Sequence, residues 1–210
     1  MWLWYGQGYR LATWKVITKA AKKADRVAAE GLCSYAIDGN DVVLYELNSE
    51  TDFVAQNDKF LALLDKVGKI LASSKANNTE EALKLDVNGK DLATIILEDS
   101  SVIGEKISLR NVQRLSKTDS QIFGAYKHNG GNIVVIDVVE GSDVVAKDVA
   151  MHVAAMAPKY VSREEIPAAE IEHEKSVILA EALNENANSA KPKPEQIVAK
   201  MVEGRLNKEL

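Results

Sequence analysis

Apolar and polar positions change their spacing several times along the chain, and each change predicts an element. From Lys15 to Glu30 the chain is rich in Ala and Lys and lacks Gly and Pro, which predicts a helix ended by Gly31. The stretch "LCSYAIDGNDVVLYEL" then alternates β-forming residues on either side of Asp38-Gly39, a dipeptide that favours a tight hairpin turn. Phe60, Leu64, Val67 and Leu71 recur at helical spacing, and the polar run "SSKANNTEE" closes that helix. Residues 81–116 hold shorter apolar runs that predict a short helix and a strand. A second hairpin is predicted around Asn129-Gly130, followed by a helix that ends before Pro158. Beyond Tyr160, "SREEIPAAEIEHEKSVILAEALNENA" and "KPEQIVAKMVEGRLNKEL" read as two charged helices joined by "NSAKPKP", where Pro192 and Pro194 break the helix. Ile171, Ile178 and Ala182 form a narrow apolar stripe, so this end reads as an antiparallel helical hairpin.

The two predicted β-hairpins align without a gap at an offset of 91 positions: Tyr35 meets Tyr126, Gly39 meets Gly130, Val43 meets Val134 and Asp52 meets Asp143. The implied fold class is α+β: two similar strand-turn-strand-helix subdomains form a core, and a helical arm follows. The corresponding boundaries are an atypical N-terminal segment over residues 1–16, a first core subdomain over 17–95, a second over 96–160 and the arm over 161–210. All three tryptophans, Trp2, Trp4 and Trp14, fall in or beside the first segment.

Composition narrows the chemistry. A net charge of −5 argues against nonspecific nucleic-acid binding, which needs a basic face to displace counterions. No apolar run approaches the ~20 residues of a membrane span. The single cysteine, Cys33, has no intrachain partner and fits a reducing, cytoplasmic setting. His128, His152 and His173 are far apart in the sequence, and no HExxH, paired CxxC, GxSxG or phosphate-loop pattern occurs. "DGNDVVLYE" lacks the carboxylate order of a calcium loop. Nothing here assembles a nucleophile with a base, so the reading is of a protein that is no enzyme and holds no metal or cofactor.

The segment "NSETDFVAQND" stands apart, because it sets Phe53, one of only three phenylalanines, among acids and amides. Two readings of Phe53 stand. By periodicity it continues the stripe of Phe60, Leu64, Val67 and Leu71 into the core. By helix-start signals, Ser49 and Thr51 are cap types and Asn57 or Asp58 is a further cap, which leaves Phe53 outside the regular helix as an exposed anchor beside Asp52.

"KAAKKADRVAAEGL", "NSETDFVAQNDKF", "VIGEKISLRNV", "KDVAMHVAAMAPKYVSREEIP" and "KMVEGRLNK" occur in this order from about Thr18 to Leu206, and together they resemble the elongation factor Ts family. The resemblance implies a nucleotide-exchange factor for the GTPase elongation factor Tu, with a core of two similar subdomains and a helical hairpin that dimerises some members. Thr51, Asp52, Phe53 and Val54 match the family's TDFV motif. There the phenylalanine enters an apolar pocket of the GTPase near its magnesium site, and the ion and GDP are loosened. Ile103 and Gly104 match a second contact to the nucleotide domain, and His128 lies in the hairpin tip that faces another domain of the GTPase. Two departures are visible. Roughly the first 14 residues do not resemble the family's three-helix N-terminal module, and the chain stops soon after Arg205, where the family continues to a C-terminal helix. Reduced affinity is the expectation. A rival reading from another class is an assembly role, with the arm as dimerisation element or the chain as a stabilising subunit. A third reading, a metal-dependent enzyme, requires bound metal.

Overall fold

The computed structural model describes residues 26–189 and 191–209. The chain divides into two compact units at Met156/Ala157. In the first unit, β1 (Glu30–Asp38) and β2 (Asp41–Ser49) form an antiparallel hairpin, and β5 (Ser108–Ser116) pairs antiparallel with the other edge of β2 to give the order β1-β2-β5. Gly39 opens the connecting turn at φ 58°, a conformation free of penalty only without a Cβ. β5 lies in the 96–160 segment of the sequence yet completes the first sheet. Its register against β2 shifts between Leu44 and Glu46, where Asn111 sits at φ 50° as a bulge residue.

The short helix α1 (Asp52–Ala55) and the longer α2 (Asp58–Ala72) follow β2, and α2 lies on the sheet as its apolar stripe predicts. Phe60, Leu64, Val67 and Leu71 are buried with Val43, Tyr45, Leu47 and Leu109. Gly68 leaves room for the Tyr45 hydroxyl, which donates to the Leu64 carbonyl at 2.9 Å; a Cβ at Gly68 would stand 2.2 Å from the Tyr45 hydroxyl oxygen. Next come α3 (Thr79–Leu83), the two-residue strands β3 (Asp86–Val87) and β4 (Lys90–Asp91), and α4 (Leu92–Ile103). Asp91 caps α4 by accepting from the Thr94 N–H at 2.7 Å.

The second hairpin, β6 (Ile122–His128) with β7 (Ile133–Val139), leads into α5 (Asp143–Met156). Its register reproduces that of the first hairpin at the 91-residue offset: Tyr35 pairs Leu44 and Tyr126 pairs Val135, while Ile37 pairs Val42 and His128 pairs Ile133. Both following helices begin on an aspartate, Asp52 and Asp143, and both bury the alanine three residues on, Ala55 and Ala146. The helices then differ. α1 ends at Ala55 and a new helix is capped by Asn57, whereas α5 runs on to Met156. α5 seats directly on Gly124, where an added Cβ would meet the Ala146 carbonyl oxygen at 2.3 Å and the Asp137 carboxylate closer still. Gly124→Ala is therefore expected to destabilise the first unit by about 1–3 kcal/mol, because a backbone carbonyl cannot rotate away. Thermal unfolding checks this.

One expectation is corrected. The helix expected from Lys15 to Glu30 does not reach Glu30: residues 27–29 carry no regular structure and Glu30 opens β1. Gly31 is not a helix stop but a strand residue at φ 145°, placed where a Cβ would lie 2.3 Å from the Leu47 carbonyl oxygen on the neighbouring strand. Close strand approach, not helix termination, sets this glycine. The rest of that segment, residues 1–16 and the three tryptophans lie outside the described residues.

The second unit holds a short 3-10 turn (Arg163–Glu165), α6 (Ala168–Ala187) and α7 (Glu195–Glu209). The two helices close on each other around Ile178, Ala182, Val198 and Val202, and Ile171 is only half-buried. Arg205 pairs with Glu185 at 2.6 Å, and Asn186 accepts the Lys193 N–H at 2.6 Å to tie the connection. Among the described residues no helix is long and apolar enough to cross a membrane.

Candidate functional site

The chain leaves β2 at Ser49, a fully buried residue whose hydroxyl donates to the Thr51 carbonyl at 2.9 Å. Thr51, in extended conformation, caps α1: its Oγ1 accepts from the Val54 N–H at 3.4 Å. Asp52 turns its carboxylate back to accept from the Phe53 N–H at 2.9 Å. One turn of helix then sorts the side chains. Ala55 is buried and Val54 packs on the core, so the opposite side of the turn faces outward. Phe53 stands on that side, 82% exposed.

The core reading of Phe53 is therefore overturned. Phe53 and Phe60 are spaced for a common helical face, but Gln56 and Asn57 interrupt the helix between them. Asn57 adopts extended φ/ψ and its side chain accepts from the Lys59 N–H at 2.9 Å, so α2 starts afresh and its stripe begins at Phe60. A phenylalanine so exposed adds little to this unit's own stability, and it presents a large apolar ring on a short turn.

Ile103 and Gly104 close α4. Gly104 takes the left-handed conformation at φ 102° and donates its N–H to the Ser100 carbonyl at 2.9 Å. Ile103 is partly buried against the core, while its neighbour Val102 is 68% exposed. The next residue, Glu105, reaches the first loop: its carboxylate accepts from the N–H groups of Glu50 and Thr51 and from the Thr51 hydroxyl. Glu105 thus ties the Thr51 loop to the end of α4, two stretches some fifty residues apart in sequence.

His128 ends β6, exposed, with Nδ1 at 2.9 Å from the Tyr126 hydroxyl. Its hairpin turn, through Asn129 and Gly130, lines a polar cleft of about 620 Å³ whose other wall includes Asp52 and Gln56. The hairpin is held there by the Cys33 N–H, which donates to the Gly131 carbonyl at 2.8 Å. Burial first, and the Glu46 charge second, push the Cys33 thiol above its ordinary value, so it is protonated and a poor nucleophile at neutral pH.

Glu50 and Glu105 escaped the reading of the sequence. No local pattern marks them, since the bonds that join their two loops cross 54 to 56 residues of chain. Among the described residues no cluster of three or more His, Cys, Asp or Glu is arranged to hold a metal ion.

The arrangement presents a ring and a carboxylate on a braced turn, which suits docking into another protein. A model of the family described as elongation factor Ts matches residues 50–210, a span that includes the Phe53 turn, the Gly104 corner, the second hairpin and both helices of the arm. The chain belongs to the elongation factor Ts family, the nucleotide-exchange factors of elongation factor Tu.

Proposed function

We propose that this chain accelerates GDP release from elongation factor Tu by inserting Phe53 beside the magnesium site of the GTPase. The observation that carries the reading is an 82% exposed Phe53 on a turn whose next residues, Val54 and Ala55, are anchored in the core. A ring so placed enters a partner's pocket without unfolding its own unit. Asp52 orients the approach, Thr51 and Val54 frame it, and Ile103 with Gly104 supplies a second contact. His128 meets another part of the GTPase through the second hairpin. The helical hairpin of the second unit serves as a dimerisation surface, and the setting is the cytoplasm.

No bond is made or broken in this mechanism. Magnesium neutralises phosphate charge and orders the switch loops of a GTPase, and so holds GDP tightly. A factor that binds the ion-free form better than the GDP form weakens GDP by the same ratio, because coupling free energies are reciprocal. Release of a fluorescent GDP analogue from elongation factor Tu, followed with and without the protein, tests the reading. The expected result is release that quickens in proportion to added protein until the complex saturates. Unchanged release, with binding to elongation factor Tu retained, favours the assembly role instead.

A further inference from the structure

We propose that Glu105 is a positioning residue for the Phe53 wedge, acting through a reciprocal carboxylate clasp with Glu50; the inference rests on the exchange function proposed above. Each of two loops lends a carboxylate to the backbone of the other. Glu105 Oε2 accepts from the Glu50 N–H at 3.1 Å and the Thr51 N–H at 3.0 Å, and its Oε1 accepts from the Thr51 hydroxyl at 2.7 Å. In return Glu50 Oε1 accepts from the Lys106 N–H at 2.7 Å. Arg26 pairs with Glu50 at 3.2 Å, and Lys106 Nζ donates to the Arg26 carbonyl at 2.9 Å, which ties the outer side of the clasp.

The Thr51 hydroxyl is the joint. It has one proton, and that proton goes to Glu105, which leaves a lone pair for the Val54 N–H. That second bond caps α1. A helix of four residues is too short to hold itself, since the cost of its first turn is not recovered by propagation. Its orientation, and hence the direction in which Phe53 projects, is set by the packing of Val54 and Ala55 on the core together with the Thr51 cap, and the cap is aimed by Glu105. Glu105 in turn is aimed by α4. Gly104 makes the left-handed corner, and the Ser100 hydroxyl donates to the Glu105 carbonyl. The line of support runs from α4 through Gly104, Glu105 and Thr51 to Phe53. Gly104 thus has a use besides any contact it makes with the GTPase. Charged acceptors make the stronger hydrogen bonds, and three of them converge here on one carboxylate, so the loop is held in a single geometry before a partner arrives.

A double-mutant cycle tests this. The dissociation constant for nucleotide-free elongation factor Tu is measured for the wild type, Glu105→Ala, Phe53→Ala and the double variant, with GDP release and thermal unfolding recorded for each. Affinity is the primary readout because contacts outside the wedge keep it measurable in the Phe53→Ala background. If Glu105 acts through Phe53, Glu105→Ala weakens binding about tenfold in the wild-type background and less than about twofold when Phe53 is already gone. Glu105→Gln keeps the shape but only one uncharged oxygen acceptor in place of two charged ones, so it recovers part of the loss and leaves binding about threefold weaker than the wild type. Should Glu105→Ala unfold, the cycle is run with Glu105→Gln, which must show the same dependence on Phe53 at smaller amplitude. Equal losses in both backgrounds, or no loss in either, overturn the clasp while leaving the exchange function intact. A wild-type protein that fails to stimulate GDP release overturns the function itself.

Discussion

Phe53→Ala is expected to leave the protein folded and to remove most of its exchange activity. The ring is 82% exposed, so its loss takes almost nothing from the core, and the melting temperature should move by no more than about 2 °C. The effect on the partner is of another order. Burying most of an aromatic ring removes roughly 150 Å² of apolar surface from water, worth about 4 kcal/mol at the usual coefficient. Ordering costs reduce this, and central aromatic anchors lose about 2–4 kcal/mol on truncation. Stimulated GDP release should therefore fall by roughly 30-fold to 1000-fold. The comparison that decides is the ratio of activity lost to stability lost. A variant that melts early and loses activity only as it unfolds would return Phe53 to a structural role.

Phe60→Ala is expected to do the reverse. Phe60 is fully buried among Leu47, Leu64 and their neighbours, at the start of the helix that lies on the sheet. Removing a core phenylalanine costs about 3–5 kcal/mol, the lost transfer energy plus the cavity left behind. That is a large share of the 5–15 kcal/mol that typically holds a domain together. The transition of the first unit should drop by roughly 6–20 °C in calorimetry. Below that transition, exchange per folded molecule should stay within a few-fold of the wild type, since the Phe53 turn is also fixed by its Thr51 cap and by Glu105. On these expectations two phenylalanines seven positions apart divide, Phe53 affecting exchange and Phe60 affecting the fold.

The division shows how far the residues alone could be read. Both hairpins, the helix from Asp58 and the paired helices of the second unit follow from periodicity and turn chemistry, because those signals are local. Alternation around Gly39 and Gly130 and the 3.6-residue spacing from Phe60 to Leu71 are each complete within twenty residues. The exposed placement of Phe53 was open, since its spacing and its neighbouring caps pointed opposite ways. It was decided by Asn57, whose side chain restarts the helix, and by Ala55, which the core holds. Gly31 misled for a related reason. A glycine beside a helical composition reads as a stop, while its actual constraint is the Leu47 backbone across the strand pair.

What the order of residues determined by itself was the kind of element at most places and the TDFV stretch that sets a phenylalanine among polar residues. What only tertiary structure decided was which distant residues share that ring's surroundings: β5 beside β2, Gly104 beside the Phe53 turn, and Glu105 under Thr51. The physical reason is range. Helix and hairpin preferences are settled by hydrogen bonds and sterics among near neighbours. A carboxylate that reaches a backbone N–H 54 residues earlier leaves no local trace, because its position is set by the packing of α4 and the sheet rather than by the residues beside it.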